Sequence, residues 1–317
     1  MTMQKILITG AAGFLGQRLV KALCAQGRIS NHPIGEICLA DVAPIPAFES
    51  IAEIKITRRQ GDLADPSYVA ELSAQGFDSI FHLASLLTIH AEADLAKAYA
   101  VNVEALRQLI DGAQGCPKVI FTSSIAVFGG ALPETVEDDQ AQTPSTTYGS
   151  HKAINELLIA DYSRHGRIDG RSLRLPIVLI RPGANQPAIS DRVAQILREP
   201  LSGARGTSPL QGETRIPIAS VGAVVRALLR LHDLPSTLLP AKRAMNMPAL
   251  SVTISQMAEA IIRRPDAGEI GYAPDPQMQA IVDGWPKRFV SKAASALGIG
   301  ADVNVEAIIE DYLGHAK

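Results

Sequence analysis

Over about the first 180 residues, short apolar runs alternate with amphipathic stretches, the rhythm of strands joined by crossover helices. The runs "KILIT", "EICLA", "IKIT", "SIFHLA", "KVIFTS" and "RSLRLPIVLI" read as strands. Helical periodicity covers 14–26, 66–75, 92–113 and 147–164, and in the third of these Leu95, Tyr99, Asn102, Leu106 and Leu109 recur at helical spacing. This order predicts an α/β fold built on a doubly wound parallel sheet. After "RPGANQP" the alternation stops, and a helical "DRVAQILREP", a Gly/Ser-rich link "LSGARGTSPLQG", a short strand "TRIPIA" and the helix "VGAVVRALLRLHDL" follow. The pattern predicts a main domain over 1–180 and a smaller, mostly helical lobe over 181–317, with the segment near 217–247 returning to the main domain.

With 317 residues, 47% of them hydrophobic and 20% charged, the chain can bury a large core and is not disordered. A net charge of −2 argues against nucleic acid or an acidic membrane as a partner, so an anionic ligand must be met by local groups. Cys24, Cys38 and Cys116 lack paired metal-ligand spacing, and their odd number argues against a disulfide framework. The glycine-broken start "MTMQKILITGAAGFLG" reads as a first strand rather than a leader, and no run reaches a membrane-spanning length. A cytoplasmic protein is expected, with no resident metal.

Candidate chemistry begins at "ITGAAGFLGQRLV". Gly10 suits a tight turn after the first strand, Gly13 allows backbone to approach a pyrophosphate, and Gly16 allows close packing of the helix that follows. Backbone N–H groups at that helix start would face phosphates. The second strand ends in Asp41, which can accept hydrogen bonds from an adenosine ribose and would repel a 2′-phosphate; Val42, Ala43 and Pro44 offer no cation to receive one. NAD is thus expected over NADP, although an acid there also serves as an ordinary strand-end turn residue. Asp62, with Leu63 beneath it, is placed to meet the adenine edge, and "HLAS" (82–85) ends the fourth strand with small residues suited to a ribose.

A base is also needed. Holding a free Tyr as phenolate at neutral pH costs roughly 4 kcal/mol, from a pKa of about 10. In "TTYGSHKAINELL", Tyr148 and Lys152 stand at i and i+4 and share a helix face, so an ammonium there lowers the phenol pKa while reaching the nicotinamide ribose. Ser124, ending the fifth strand in "VIFTSSIAVFGG", can hydrogen-bond a reacting oxygen. Alone, the Tyr/Lys pair is an ordinary solvated face and the Ser an ordinary cap; in order behind the glycine turn they form a proton-transfer site.

The set "TGAAGFLG", "GDLAD", "HLAS", Val101–Asn102, "TSSIAVFG", "YGSHK" and "RPG" resembles the extended short-chain dehydrogenase/reductase family, which includes NAD-dependent epimerases and dehydratases. The resemblance implies Tyr148 as general acid/base, Lys152 as its partner and ribose ligand, Ser124 as substrate-oxygen ligand and Asn102 as a support of the site's hydrogen bonds. It extends the cofactor set to Phe14, Leu15, Leu83, Ala84, Ser85 and Pro182, and implies a homodimer through the helices over 92–113 and 147–164. Phe128, where many members carry Tyr, weakens a sugar-nucleotide epimerase reading without removing it. "RLPIVLIRPGANQPAIS", "ILREPLSG" and "IVDGWPKRF" resemble a bacterial subgroup that oxidises the C2 hydroxyl of a four-carbon sugar acid with NAD. A sugar acid needs a charge-assisted partner for its carboxylate: Arg181 first, then Arg215 and Arg192, with Asn185 and Ser85 for hydroxyls. Arg215 and Arg192 also read as surface ion-pair residues. A non-catalytic NAD sensor is disfavoured by the intact Ser124, Tyr148 and Lys152.

Overall fold

The computed structural model describes residues 3–48, 54–179 and 189–315. Along the chain run β1 (Gln4–Thr9), α1 (Phe14–Gln26), β2 (Arg28–Ile29), β3 (His32–Asp41), β4 (Lys55–Gln60), α2 (Pro66–Ser73), β5 (Ser79–His82), α3 (Thr88–Ala93), α4 (Leu95–Tyr99), a π-turn (Ala100–Glu104), α5 (Ala105–Asp111), β6 (Lys118–Ser124), β7 (Thr135–Val136), α6 (Thr147–Arg164) and β8 (Asp169–Leu175). Then follow β9 (Ile177–Leu179), α7 (Ile189–Leu201), β10 (Gly206–Ser208), β11 (Arg215–Ser220), α8 (Val221–Asp233), β12 (Ala244–Asn246), β13 (Leu250–Thr253), α9 (Ile254–Ile262), β14 (Ile270–Tyr272), α10 (Pro276–Asp283), β15 (Arg288–Phe289), α11 (Lys292–Ala296) and α12 (Val305–Leu313).

Two compact units divide these elements. The first holds Met1–Ser124, Thr146–Arg174 and Val225–Met245; the second holds Ile125–Ser145, Leu175–Val224 and Asn246–Lys317. The sequence border at 180 thus differs from the structural one: the loop after Ser124 goes to the second unit, and a returning segment close to the expected 217–247 goes to the first.

The first unit is the expected doubly wound sheet, with the order β12-β8-β6-β5-β1-β3-β2 and β4 also on β3. The pairs β1/β3, β1/β5, β3/β4 and β5/β6 are parallel. The chain order reverses between β1 and β5, which places the ligand crevice at the carboxyl ends of those strands. Ile6, Leu7 and Ile8 are fully buried, as a central parallel strand covered on both faces requires. On one face Leu7, Val69, Leu72, Leu106, Leu109 and Phe121 share a core cluster. Local caps set the helix starts: Asp65 accepts from Ser67 N with Pro66 in the first turn of α2, and Thr146 accepts from Gly149 N at the start of α6.

Two expected elements are broken. The strand "RSLRLPIVLI" splits at Pro176, which has no N–H for a ladder; β8 stays in the large sheet, while β9 pairs in parallel with β11 in the second unit. The expected continuous helix over 92–113 becomes α3, α4, the π-turn and α5, because Asp94 leaves helical geometry at φ −143°, ψ 89° to cap α4 through Lys97 N, and one wide turn is inserted at Asn102. The second unit has the expected helices and, beside them, short strands. It carries the sheets β13-β11-β9, β10-β14 and β15-β7 beside its helices, around a core that includes Val193, Ile196, Ile216, Ile218, Met257 and Ile308.

Within the first unit, α8 ends on cations. Lys118 Nζ donates to the His232 carbonyl at 2.8 Å, and Arg171 Nη1 donates to the same oxygen at 2.8 Å and to Leu231 O at 2.5 Å, which satisfies carbonyls at the negative end of the helix. The His232 ring is buried between Phe81, stacked at 5.5 Å, and Ser79, whose Oγ lies 2.8 Å from Nε2. Burial pushes His232 down from 6.5 to about 4, against the opposing pull of Asp233. His82, fully buried, is pushed down to about 3 by the same cause. An unfolded His binds its proton near 6.5, so between that pH and the folded values the unfolded state holds more protons. Stability contributed above pH 6.5 is therefore lost as pH falls towards 4. Unfolding free energies from denaturant titrations near neutrality and near pH 5 should differ by on the order of 1–3 kcal/mol, with His232→Gln reducing that difference and the remainder belonging to His82.

Candidate active site

The turn after β1 confirms the geometric demand for glycine. Gly10 has φ +73°, and a Cβ there would lie 2.8 Å from Ala84 N; a Cβ on Gly16 would lie 2.3 Å from Gly10 O. One position thus lets the loop pass the end of β5, and the other lets α1 start tight against the loop. At Gly13 an added Cβ would meet only Gly10 O, at 3.2 Å, so that side of the turn is open, and no side chain caps α1. Phe14 and Leu15 form the first turn of that helix. Asp41 Oδ2 accepts from Ala12 N at 2.8 Å and Oδ1 from Ala43 N at 2.9 Å. It is therefore a strand-end turn residue that also fixes the glycine loop, and each oxygen keeps lone-pair capacity for a ribose hydroxyl. This open, uncapped, carboxylate-flanked cradle fits a dinucleotide without a 2′-phosphate.

Around the cradle, Asp62 Oδ1 accepts from Ala64 N at 2.9 Å and its other oxygen pairs with Lys97 at 3.2 Å. The Ala64 bond and then Lys97 hold the carboxyl below its usual range. Leu63 packs against the core cluster of this unit, and Leu83 N donates to Thr9 O at 3.2 Å, drawing Ala84 and Ser85 across the end of β1. Asn102, turned inward by the π-turn, accepts from Leu86 N at 2.7 Å and from Ser85 Oγ at 3.0 Å and donates to Leu86 O at 3.0 Å. A π-turn is the local device that re-aims one residue of a helix; here it stitches the loop after β5 in place.

Ser124 ends β6, and Tyr148 and Lys152 lie on the first two turns of α6. Thr146 caps that helix from its own chain, and Glu92 on α3 accepts from Thr147 N at 2.7 Å and Thr147 Oγ1 at 3.0 Å, so an acid from a neighbouring helix also sits at its positive end. Lys152 is 3% exposed. Its Nζ donates to Thr122 O at 2.8 Å and lies 4.6 Å from the Phe121 ring centre and 5.4 Å from that of Tyr148. Burial drives the ammonium down to about 7 while Glu156 pulls it up. A cation is thus packed under the phenol in a place where water does not shield it, the condition under which a charge moves a neighbouring pKa most.

Several residues outside the sequence candidates also belong to the neighbourhood of the site. Glu156, Arg174 and Ser123 form a buried cluster behind Lys152. Its signals were readable: Glu156 continues the Tyr148–Lys152 spacing by another four residues, and Arg174 is a charge inside an apolar strand. In the second unit, a cavity of about 420 Å³ is lined by residues 130–134, Arg215, Asp283, Trp285 and Lys287. Arg215 donates weakly to Ser251 O at 3.4 Å, and among the described residues neither it nor Lys287 has an ion-pair partner. Arg192, by contrast, forms an exposed pair with Asp275 at 3.2 Å, its bland alternative. Arg181, Pro182 and Asn185 lie outside the described residues.

The model of the "NAD dependent epimerase/dehydratase family" matches residues 6–246. D-erythronate dehydrogenase of Cupriavidus necator is 37% identical, and that of Haemophilus influenzae 39% identical, each over 98% of this chain and 98% of the relative. Among solved structures, a nucleoside-diphosphate-sugar epimerase from Agrobacterium tumefaciens superposes with a TM-score of 0.93 at 34% identity, covering 99% of this chain and 95% of that one. With the cradle, the acid after it and the Tyr–Lys helix in one unit, the chain belongs to the NAD-dependent epimerase/dehydratase family and is an NAD-dependent dehydrogenase of the extended short-chain dehydrogenase/reductase type.

Proposed function

We propose that this enzyme oxidises the C2 hydroxyl of D-erythronate to 2-dehydro-D-erythronate. One observation carries the chemistry: the buried Lys152 ammonium beneath Tyr148. The substrate is supported by the near full-length likeness to two D-erythronate dehydrogenases. Bound NAD supplies the hydride acceptor. Gly10, Gly13, Gly16 and the start of α1 hold its pyrophosphate, Asp41 the adenosine ribose, Asp62 the adenine edge, and Lys152 the nicotinamide ribose. Tyr148, as phenolate, takes the C2 hydroxyl proton, and Lys152 stabilises that phenolate. Ser124 donates a hydrogen bond to the oxygen that becomes the carbonyl. Tyr148 then passes its proton to solvent, so the products are the 2-oxo acid, NADH and a proton. Arg215, with Lys287 beside it, is the proposed carboxylate ligand because it has no ion-pair partner among the described residues; Arg181, first from the sequence, stays a candidate, and Ser85 and Asn185 serve hydroxyls.

A second reading has a specific observation behind it: the TM-score of 0.93 to a nucleoside-diphosphate-sugar epimerase. An epimerase would regenerate its cofactor and show no net reduction.

We also propose a homodimer. Leu95 and Tyr99 on α4 are 60% and 50% exposed, and Ile154 and Leu157 on α6 are 38% and 68% exposed, a density of bare apolar side chains that a second copy would cover. No described helix is long and apolar enough to cross a membrane. The free thiols of Cys24, Cys38 and Cys116 suit the reducing cytoplasm in which sugar-acid catabolism would run.

With NAD and D-erythronate, absorbance of the reduced cofactor should rise stoichiometrically; turnover of nucleotide sugars alone, without NADH, would favour the epimerase. Tyr148→Phe should lower kcat by about a hundredfold or more with NAD affinity nearly unchanged. Arg215→Met should raise KM for D-erythronate about tenfold or more while leaving KM for NAD in place. Leu157→Glu should shift the sedimentation coefficient from dimer to monomer.

A further inference from the structure

The spacing of Tyr148 and Lys152 continues to Glu156, a residue that the proton-transfer scheme above does not use. Glu156 is 4% exposed. Arg174 Nε donates to its two oxygens at 2.9 and 3.1 Å, Arg174 Nη2 donates to Oε2 at 2.8 Å, and Ser123 Oγ donates to Oε1 at 2.5 Å. One carboxylate therefore joins α6, which carries the proton-transfer pair; β6, one residue before Ser124; and β8, through a 3%-exposed Arg174.

A buried ion pair kept only for stability is a poor investment, since well-packed apolar residues of similar volume do as well. This pair stands one helical turn behind a buried cation that needs a counter-charge. Among the described residues, the groups facing Lys152 come from three elements. On α6 they are Tyr148 and Glu156; on β5 the neutral His82; on β6 the Thr122 carbonyl and the Phe121 ring. Arg174 on β8 directs its charge at Glu156. Burial favours the neutral amine, and the Glu156 carboxylate opposes it.

We infer that Glu156 is a positioning residue for proton transfer: fixed by Arg174 and Ser123, its carboxylate keeps the Lys152 ammonium charged and seated under Tyr148. This rests on the reading of Tyr148 and Lys152 as the proton-transfer pair. Without the carboxylate, less of Lys152 carries a proton near neutrality, Tyr148 loses part of its neighbouring cation, and the phenol ionises at higher pH.

Glu156→Gln alone leaves Arg174 buried without a counter-charge and is expected to fold poorly. The informative protein is Glu156→Gln/Arg174→Met, in which both charges leave together and their direct fields on Tyr148 largely cancel. After a thermal melt establishes folding, the phenolate absorbance of the NAD-saturated protein is titrated against the same protein carrying Tyr148→Phe, which isolates Tyr148. The titration should move up by about one pH unit relative to the parent, and the rising limb of kcat/KM should move with it. Activity near neutrality should fall about tenfold and recover at higher pH. A folded double variant that titrates Tyr148 at the parent's pH, with rates lowered evenly at every pH, would overturn the inference and leave the cluster a structural tie. The titration uses no substrate, so a parent that ignores D-erythronate would sink the substrate reading while the role of Glu156 was still being measured.

Discussion

A lysine ammonium kept charged inside protein is the constraint around which the first unit is arranged. Removing a cation from water costs several kcal/mol even after relaxation, and Lys152, 3% exposed, meets that cost by position. The Thr122 carbonyl accepts one of its protons, two aromatic faces flank it, and a carboxylate stands one helical turn away. Each of these comes from an element whose placement the doubly wound sheet dictates. β6 must end beside α6 for the carbonyl to be there, and α6 must be capped at Thr146 for Tyr148 and Lys152 to fall on the inner face.

The same topology accounts for the cofactor cradle. Reversal of the strand order between β1 and β5 leaves a gap at their carboxyl ends, and the loops that rim it are held by backbone rather than by large side chains. Gly10 N and Ala11 N both donate to Ala40 O, Ala12 N donates to Asp41, and Leu83 N donates to Thr9 O. Asn102 adds a side-chain stitch at Ser85 and Leu86. A rim built this way is rigid yet leaves its outer surface bare, which a ligand with a long, flat contact surface requires.

Much of this was legible in the sequence because parallel strands buried on both faces leave uninterrupted apolar runs, and because glycines mark a turn that no other residue can make. "KILIT", "EICLA" and "KVIFTS" lie within strands of the sheet, and the helix expected over 147–164 spans those residues. The failures have one cause: periodicity reports local preference and not the partner. "RSLRLPIVLI" reads as one continuous strand, yet Pro176 cannot join a ladder, so the chain leaves one sheet for another. The run over 92–113 keeps helical spacing, but a wide turn at Asn102 costs one residue of phase, which no count of apolar positions reveals. Glu156 and Arg174 were visible as letters; only tertiary packing shows that they are buried against each other.

The machinery that handles the proton does not choose the molecule that supplies it. In the proposed roles, Tyr148, Lys152 and Ser124 would act on any secondary alcohol held at the right distance, so selectivity would come from charges elsewhere. Arg192 has Asp275 and Arg198 has Asp191, and both are spent. Arg215 lines a cavity with Trp285 and Lys287 and pairs with neither Glu134 nor Asp283, although all line the same space. Among the described residues these two cations have no ion-pair partner although carboxylates line the same cavity, an arrangement that favours an anionic ligand there over an internal salt bridge, with the guanidinium suited to a bidentate carboxylate.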